Sequence, residues 1–176
     1  MKFLKKSILF LVALLGLTVF FAPKQQLYYQ AEELLQTKNI VLSEEIANDK
    51  GFIFNIKGGS LYYDDLEVAR LNEITFWPFL VFNRVAAAPF TFSDEMQSFV
   101  PGMITQLYLQ YSILNPLKVT FYAEGNFGTL SGNVALIERK ITLDLIASNE
   151  LIKSAPFWLR QLKKVEGGVY RYESTY

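Results

Sequence analysis

Residues 117–147 read LKVTFYAEGNFGTLSGNVALIERKITLDLIA. Apolar and polar side chains alternate along this stretch. Leu117, Val119, Phe121 and Ala123 fall on one face; Lys118, Thr120, Tyr122 and Glu124 fall on the other. After Gly128 the alternation resumes at Leu130, Gly132, Val134 and Leu136. Past Glu138-Arg139-Lys140 it returns at Ile141, Leu143, Leu145 and Ala147. A period of two, broken only by short glycine-bearing or charged gaps, predicts antiparallel strands joined by tight turns, one face apolar and one polar.

Upstream the same period begins after Asn39. Ile40 and Leu42, and later Phe52, Phe54 and Ile56, alternate with Val41, Ser43, Ile53, Asn55 and Lys57. Gly58-Gly59 punctuates the pattern and is read as a turn. Leu61 and Tyr63, then Leu66 and Val68, flank Asp64-Asp65, a tight turn or bulge. Ile74, Phe76 and Val81 continue the extended reading, interrupted at Trp77-Pro78. Ala86-Ala87-Ala88-Pro89 leads into Phe90 and Phe92 as an edge strand. Within residues 94–115, Asp94, Glu95 and Pro101 suggest a loop or short helical turn, and Gln106 to Ile113 a strand.

Two stretches have helical spacing. In Leu27 to Thr37 the apolar residues are Leu27, Tyr28, Ala31, Leu34 and Leu35. This helix is expected to cover the sheet behind it. The competing reading lays it on a membrane surface, where anionic lipid would repel Glu32 and Glu33. Ser148 is placed to cap a second helix from Asn149, with Leu151, Ala155, Trp158 and Leu162 on one face. Pro156 must break or restart it, with Ser154 as cap of the second piece. Gly167-Gly168 then leads into a short final strand, Val169 to Tyr172.

Ser7 to Ala22 reads SILFLVALLGLTVFFA, sixteen residues without a charge. As a helix it spans about 24 Å, short against a bilayer core of roughly 30 Å, though Phe3 and Leu4 can extend it. A cleaved signal peptide shares the basic start and apolar middle. The run ends Phe20-Phe21-Ala22-Pro23, and Phe and Pro suit a cleavage site badly. The expected division is therefore a membrane anchor, 1–23, and an extracytoplasmic β-rich domain, 24–176. Lys2, Lys5 and Lys6 keep the N-terminus in the cytoplasm by the positive-inside rule.

Those three lysines belong to 17 basic residues set against 17 acidic ones, none of which precedes Pro23. The domain is thus net acidic, a poor partner for nucleic acid. With no Cys and no His, neither a disulfide nor a zinc site of the usual kind can form. A classical triad and a cysteine nucleophile are excluded, and no phosphate- or dinucleotide-binding fingerprint occurs. Glu32-Glu33, Glu44-Glu45, Asp64-Asp65 and Asp94-Glu95 are adjacent pairs. On a strand such neighbours point to opposite faces, so turns and solvated surfaces account for them. Arg160, Lys163 and Lys164 complement a helix C-terminus, or else meet lipid phosphates. No enzyme, cofactor or metal is expected.

The chain carries 15 Phe and 10 Tyr. Ile53, Tyr62, Tyr122 and Ile146 make the second face partly apolar as well. A thick core, a partner surface, or a groove for a hydrophobic ligand would each account for the excess. The groove reading selects Phe52, Phe54, Phe121, Leu143 and Leu145 as its lining.

An anchor runs straight into Pro23-Lys24-x-x-Leu27-Tyr28-Tyr29 and Leu34-Leu35. Ile40-Val41-Leu42-Ser43 follows, then Gly59-Ser60-Leu61-Tyr62-Tyr63-Asp64-Asp65-Leu66-Glu67-Val68-Ala69, and later Gly128-Thr129-Leu130-Ser131-Gly132-Asn133-Val134-Ala135-Leu136. This layout resembles the general secretion pathway (type II secretion) protein N family and the related AsmA-like proteins of Gram-negative bacteria. The resemblance implies a single-pass inner-membrane anchor and a periplasmic domain. It implies a mainly β fold, one curved, groove-like antiparallel sheet with one or two flanking helices. It also implies lipid transport or secretion as the setting, with no catalytic residues to carry over. The chain is far shorter than the large AsmA-like proteins and would act as one module among partners. Two functions are expected in turn. One is an accessory module binding lipid or another hydrophobic ligand in envelope biogenesis. The other is a non-catalytic structural component of a secretion or envelope complex, binding protein by sheet-edge pairing.

Overall fold

A computed structural model describes residues 2–79, 81–87, 89–97 and 103–176 of the chain. Ala88 and Pro101, read above as strand lead-in and loop, lie outside the described residues. The apolar N-terminal run is helix α1, Lys2–Phe20, about 28 Å long. Its window Phe3–Phe20 is, among the described residues, the one helix long and apolar enough to cross a membrane. Its side chains are exposed along nearly the whole length.

Pro23 starts helix α2, Lys24–Gln36. Lys24 is 1% exposed. Its ammonium folds back to donate to the carbonyls of Phe20 and Ala22, both at 3.2 Å, and pairs with Asp49 at 3.4 Å. A cation on the last carbonyls of a helix meets the negative end of its dipole. The expected packing of α2 is not what the structure holds. Lys24, Tyr28 and Glu32, spaced by four, face the sheet. Leu27, Ala31, Leu34 and Leu35 face outward, Leu34 being 69% exposed. The sheet-facing stripe is polar because it satisfies polar groups at the sheet's edge: the Tyr28 hydroxyl donates to Glu45 at 2.7 Å while its ring lies 5.6 Å from Phe54.

Everything else hangs on one open antiparallel sheet. Its strands are β1 (Ile40–Ser43), β2 (Ile46–Asp49), β3 (Phe54–Lys57), β4 (Ser60–Tyr63), β5 (Leu66–Leu71), β6 (Glu73–Pro78), β7 (Phe82–Ala87) and β8 (Phe90–Phe92). After the short helix α3 (Asp94–Gln97) come β9 (Met103–Ser112), β10 (Lys118–Gly125), β11 (Gly128–Ala135) and β12 (Lys140–Ala147). Then follow α4 (Asn149–Ser154), α5 (Pro156–Arg160), β13 (Lys163–Lys164) and β14 (Tyr170–Thr175). Each strand from β9 to β12 pairs with its neighbour in the chain, and β14 then pairs with β12.

The first eight strands are four long ones, each interrupted once. β1 and β2, β4 and β3, β5 and β6, and β8 and β7 lie end to end, and the breaks fall on one line across the sheet. Each hairpin keeps the same pairing register on both sides of its break. Hydrogen bonds bridge the line: Gly58 N–H to Asn72 O at 2.8 Å, Leu71 N–H to Gly59 O at 2.8 Å, and Asn72 N–H to Pro89 O at 3.2 Å. Gly58-Gly59 is therefore not a chain reversal. Both glycines have positive φ, 70° and 118°, and they turn the strand over without ending it. The apolar positions change parity there: Phe54 and Ile56 lie on one side of the break, Leu61 on the other. The same switch separates Ile74 and Phe76 from Ala69 and Leu71, and Val85 and Ala87 from Phe90 and Phe92.

Asp64 and Asp65 both adopt left-handed φ, 47° and 64°. They form the two-residue hairpin between β4 and β5, as a right-twisted pair of strands requires. Strand β9 starts at Met103, three residues earlier than the sequence pattern suggests. The C-terminal helical stretch is two helices. Ser148 caps the first, accepting from Leu151 N–H at 3.1 Å. Ala155, not Ser154, precedes the second, because the Ser154 hydroxyl is engaged by Glu150 O at 2.8 Å.

The two sheet faces are chemically separate. One carries two unbroken cross-strand rows. The first runs Phe54–Phe76–Val85–Leu109–Phe121–Gly132–Leu143–Tyr172; the second runs Ile56–Ile74–Ala87–Leu107–Ala123–Leu130–Leu145–Tyr170. The other face carries polar residues and aromatic rings. Tyr108 stacks on Tyr122 at 6.3 Å, Arg84 lies 4.2 Å above Tyr108, and Arg171 grips Asp144 through two bonds of 2.6 and 2.8 Å.

Candidate apolar binding site

The second row holds Ala123 between Leu107 and Leu130, and the small alanine leaves space above the sheet. Helices α4 and α5 roof that space. Ser148 pins the roof: its hydroxyl donates to Asn126 O, and its N–H donates to Phe127 O at 2.9 Å. Ala123, Phe127, Leu151, Ala155 and Leu159 close the far end as a cluster no more than 8% exposed. Gly132 interrupts the first row for a steric reason. A Cβ there would stand 2.3 Å from Thr142 O and 2.6 Å from the Phe121 ring, which lies over it.

Between sheet and roof is a cavity of about 690 Å3. Ile104, Leu107, Phe121, Leu130, Leu143 and Leu145 form its floor, with Phe92 and Phe127 at the closed end. Leu151, Trp158 and Leu162 come from the roof, and Tyr170 and Tyr172 from β14. Among the described residues, Gln161 is the sole amide side chain in the lining, and no Asp, Glu, Lys or Arg reaches it. The mouth is open: Trp158 is 40% and Tyr172 43% exposed. Such a volume suits a ligand of several hundred Å3 held by apolar contact.

Of the five residues singled out from sequence, Phe121, Leu143 and Leu145 line this cavity together. Phe54 stands on the same face, reached through Phe76, Val85 and Leu109, but is 2% exposed beneath Tyr28. Phe52 leaves the strand pattern altogether. It sits in the turn after β2, 5.3 Å from the Phe20 ring at the end of α1. The residues that sequence reasoning missed are Phe92, Ile104, Leu107, Phe127, Tyr170 and Tyr172. They come together only through register. The roof was visible in advance, because Leu151, Trp158 and Leu162 share the helical face read from their spacing.

The charged motifs lie elsewhere. Glu45 takes the Tyr28 hydroxyl, whose pKa is raised by burial first and by that bond second. Glu67 pairs with Arg70 at 2.6 Å, and this bond holds its carboxyl below the usual range. Glu67 and Arg70, with Glu44, border a polar hollow of about 440 Å3 at the line of breaks. Arg160 ends α5, but Lys163-Lys164 forms a strand against β14, so the three do not make one helix-end cluster. Among the described residues, no group of three or more His, Cys, Asp or Glu side chains could hold a metal ion. In comparisons with known proteins, no family model, no curated protein and no solved structure matches the chain.

Proposed function

We propose that this protein is a single-pass membrane-anchored module of the bacterial envelope that holds an apolar ligand, the acyl chain of a lipid, in the cavity between its sheet and α4–α5. In this reading α1 spans the inner membrane uncleaved, with the N-terminus in the cytoplasm. The sheet curves as a groove in the periplasm, and the setting is envelope biogenesis or lipid transport, without catalysis. The observation that carries the reading is the 690 Å3 cavity with an apolar lining and an open mouth. Anchor retention is supported by the packed joint: Val19 is buried, Phe20 meets Phe52, and Lys24 is closed in by the carbonyls of Phe20 and Ala22. Cleavage after Ala22 would discard all of those contacts and leave Lys24 with Asp49 alone.

The test is photocrosslinking in intact membranes from single positions of the full chain. A photoreactive residue at Leu145 is expected to give a lipid adduct by mass analysis, and one at Asp144, on the opposite face, none. Ala123→Leu points new bulk into the cavity and is expected to lower the adduct about tenfold, roughly 1.4 kcal/mol of binding, with the fold intact by circular dichroism. Equal adducts from both faces, or none from position 145, would sink the reading.

A second reading rests on a specific observation, the outward stripe Leu27, Leu34 and Leu35 of α2. It makes the chain a structural component of a secretion or envelope complex, bound to protein through that helix. A protein adduct from Leu34, together with no lipid at 145, would favour it.

A further inference from the structure

The turns of the sheet are not alike at its two ends. At one end the chain reverses after β2, after β6, after β9 and after β11, so residues 50–53, Phe79 and Val81, residues 113–117 and residues 136–139 stand side by side. These turns carry large apolar side chains into solvent: Phe79 is 40% exposed, Ile113 51%, Leu114 84%, Leu117 48% and Ile137 72%. Hydrogen bonds tie these turns to one another and to the chain end. Ile113 N–H and the Ser112 hydroxyl both donate to Val81 O, Leu136 N–H to Leu117 O at 2.9 Å, and Tyr176 N–H to Arg139 O at 3.0 Å. The rim is thus tied together by its main chain and leaves its apolar side chains outside. At these turns stand Lys50, Lys118, Arg139 and Lys140 with the acids Asp49 and Glu138; Asp49 is paired with Lys24, and Lys140 reaches Glu173 at 3.2 Å. The turns at the opposite end carry Asp64, Asp65, Asp94 and Glu95, and the apolar Phe127 there is buried.

α1 ends on this same apolar rim. Phe20 packs against Phe52 in the first of its four turns, and Lys24 is paired with Asp49 one residue before that turn. We infer that the rim is a membrane-docking edge: its apolar turns insert into the leaflet from which α1 emerges, and its basic residues meet anionic headgroups. Apolar side chains that penetrate roughly 5–10 Å with flanking basic groups are the usual chemistry of an interfacial anchor. Three observations select a lipid surface over a protein partner: continuity with the apolar helix α1, the excess of positive charge, and turns already cross-linked by hydrogen bonds. The apolar face leads away from this edge. From Leu117 and Leu136 it passes Val119, Val134 and Ile141 to Phe121 and Leu143, and so to the cavity under α4–α5. A chain taken from the bilayer would enter at the rim and move along an apolar surface to a closed end. That last step rests on the ligand proposed above; the docking itself does not.

The protein has no cysteine, so single labels are unambiguous. Full-length Leu114→Cys, Asp65→Cys and Leu34→Cys proteins, each carrying an environment-sensitive fluorophore, are reconstituted in vesicles of phosphatidylethanolamine and phosphatidylglycerol. Strong quenching by a lipid-borne quencher and a blue shift are expected at 114, with neither at 65 or 34. Lys50→Glu with Lys118→Glu should weaken the quenching at 114, and Lys163→Glu with Lys164→Glu, away from the rim, should not. Quenching at 114 no greater than at 65 overturns the proposal. Quenching at 34 exceeding that at 114 also overturns it, in favour of α2 as the interfacial element. Adding Ala123→Leu separates the two readings: the docking signal at 114 persists even where the cavity takes no ligand.

Discussion

One apolar face runs the breadth of this sheet, yet its two ends behave differently. Under α4 and α5, Ala123, Phe127, Leu151 and Leu159 are each no more than 8% exposed. Toward the other end, Leu109 is 40% and Leu117 48% exposed on the same alternating pattern. The strands do not distinguish the two; the roof does. An apolar side chain becomes core only where a second layer removes it from water. The same pattern left uncovered is a surface that asks for a ligand or a membrane.

Mutation can break that contrast. Leu159→Ala, in the roof, is expected to destabilise the protein by about 2–5 kcal/mol, while Leu117→Ala at the bare end stays within about 0.5 kcal/mol. Urea unfolding of the two variants in the same detergent measures the difference; equal losses would mean that the bare end is packed after all. A smaller effect is expected at the line of breaks. In Gly59→Val the new Cβ would meet Leu42 at 3.1 Å and Ser43 O at 3.3 Å, on a backbone with φ of 118°. That should cost about 1–3 kcal/mol. Gly167→Val meets open space and carries only the penalty of its positive φ, about 1–2 kcal/mol.

The smallest effect belongs to the polar face. The Arg171 guanidinium holds the Asp144 carboxyl below its usual pKa, chiefly through their hydrogen bonds. A depressed folded-state pKa stabilises above the unfolded carboxyl value, near ~4, and that contribution is lost as pH falls through the lower, folded value. Asp144 is about one third exposed, so the pair contributes no more than about 1 kcal/mol. Asp144→Asn should flatten the acid limb of stability against pH and leave the neutral value almost unchanged. A fall at neutral pH as large as that of Leu159→Ala would refute the ranking.

The sequence carried most of the strand pattern because alternation is a local property. Val119, Phe121 and Ala123 needed no partner to reveal a face. Three of the five groove residues meet in the cavity because β10 and β12 are unbroken strands, where parity persists from end to end. Phe52 went astray because it lies just beyond the end of its strand, where parity no longer places a side chain. Gly58-Gly59 had the composition of a turn, and only the pairing of strands on both sides of it marks it as a break within a strand. The helix α2 misled for another reason. Its apolar spacing is real, but Lys24 and Tyr28 had polar partners, Asp49 and Glu45, that no local pattern announces. Phe92, Ile104 and Tyr170 were out of reach because only the order of strands brings them together.

The Lys24 joint has a mechanical consequence. Three oxygens within 3.4 Å of one ammonium make a bracket rather than a leash. A spanning helix tilts to match the thickness of its bilayer. In the reading proposed above α1 is such a helix, and its tilt would pass through the bracket into the first hairpin and pitch the sheet with it. Membrane thickness would then become an angle imposed on the whole protein. A fragment that begins at Lys24 leaves that ammonium with Asp49 alone of the three, and it will report the sheet without the lever that aims it.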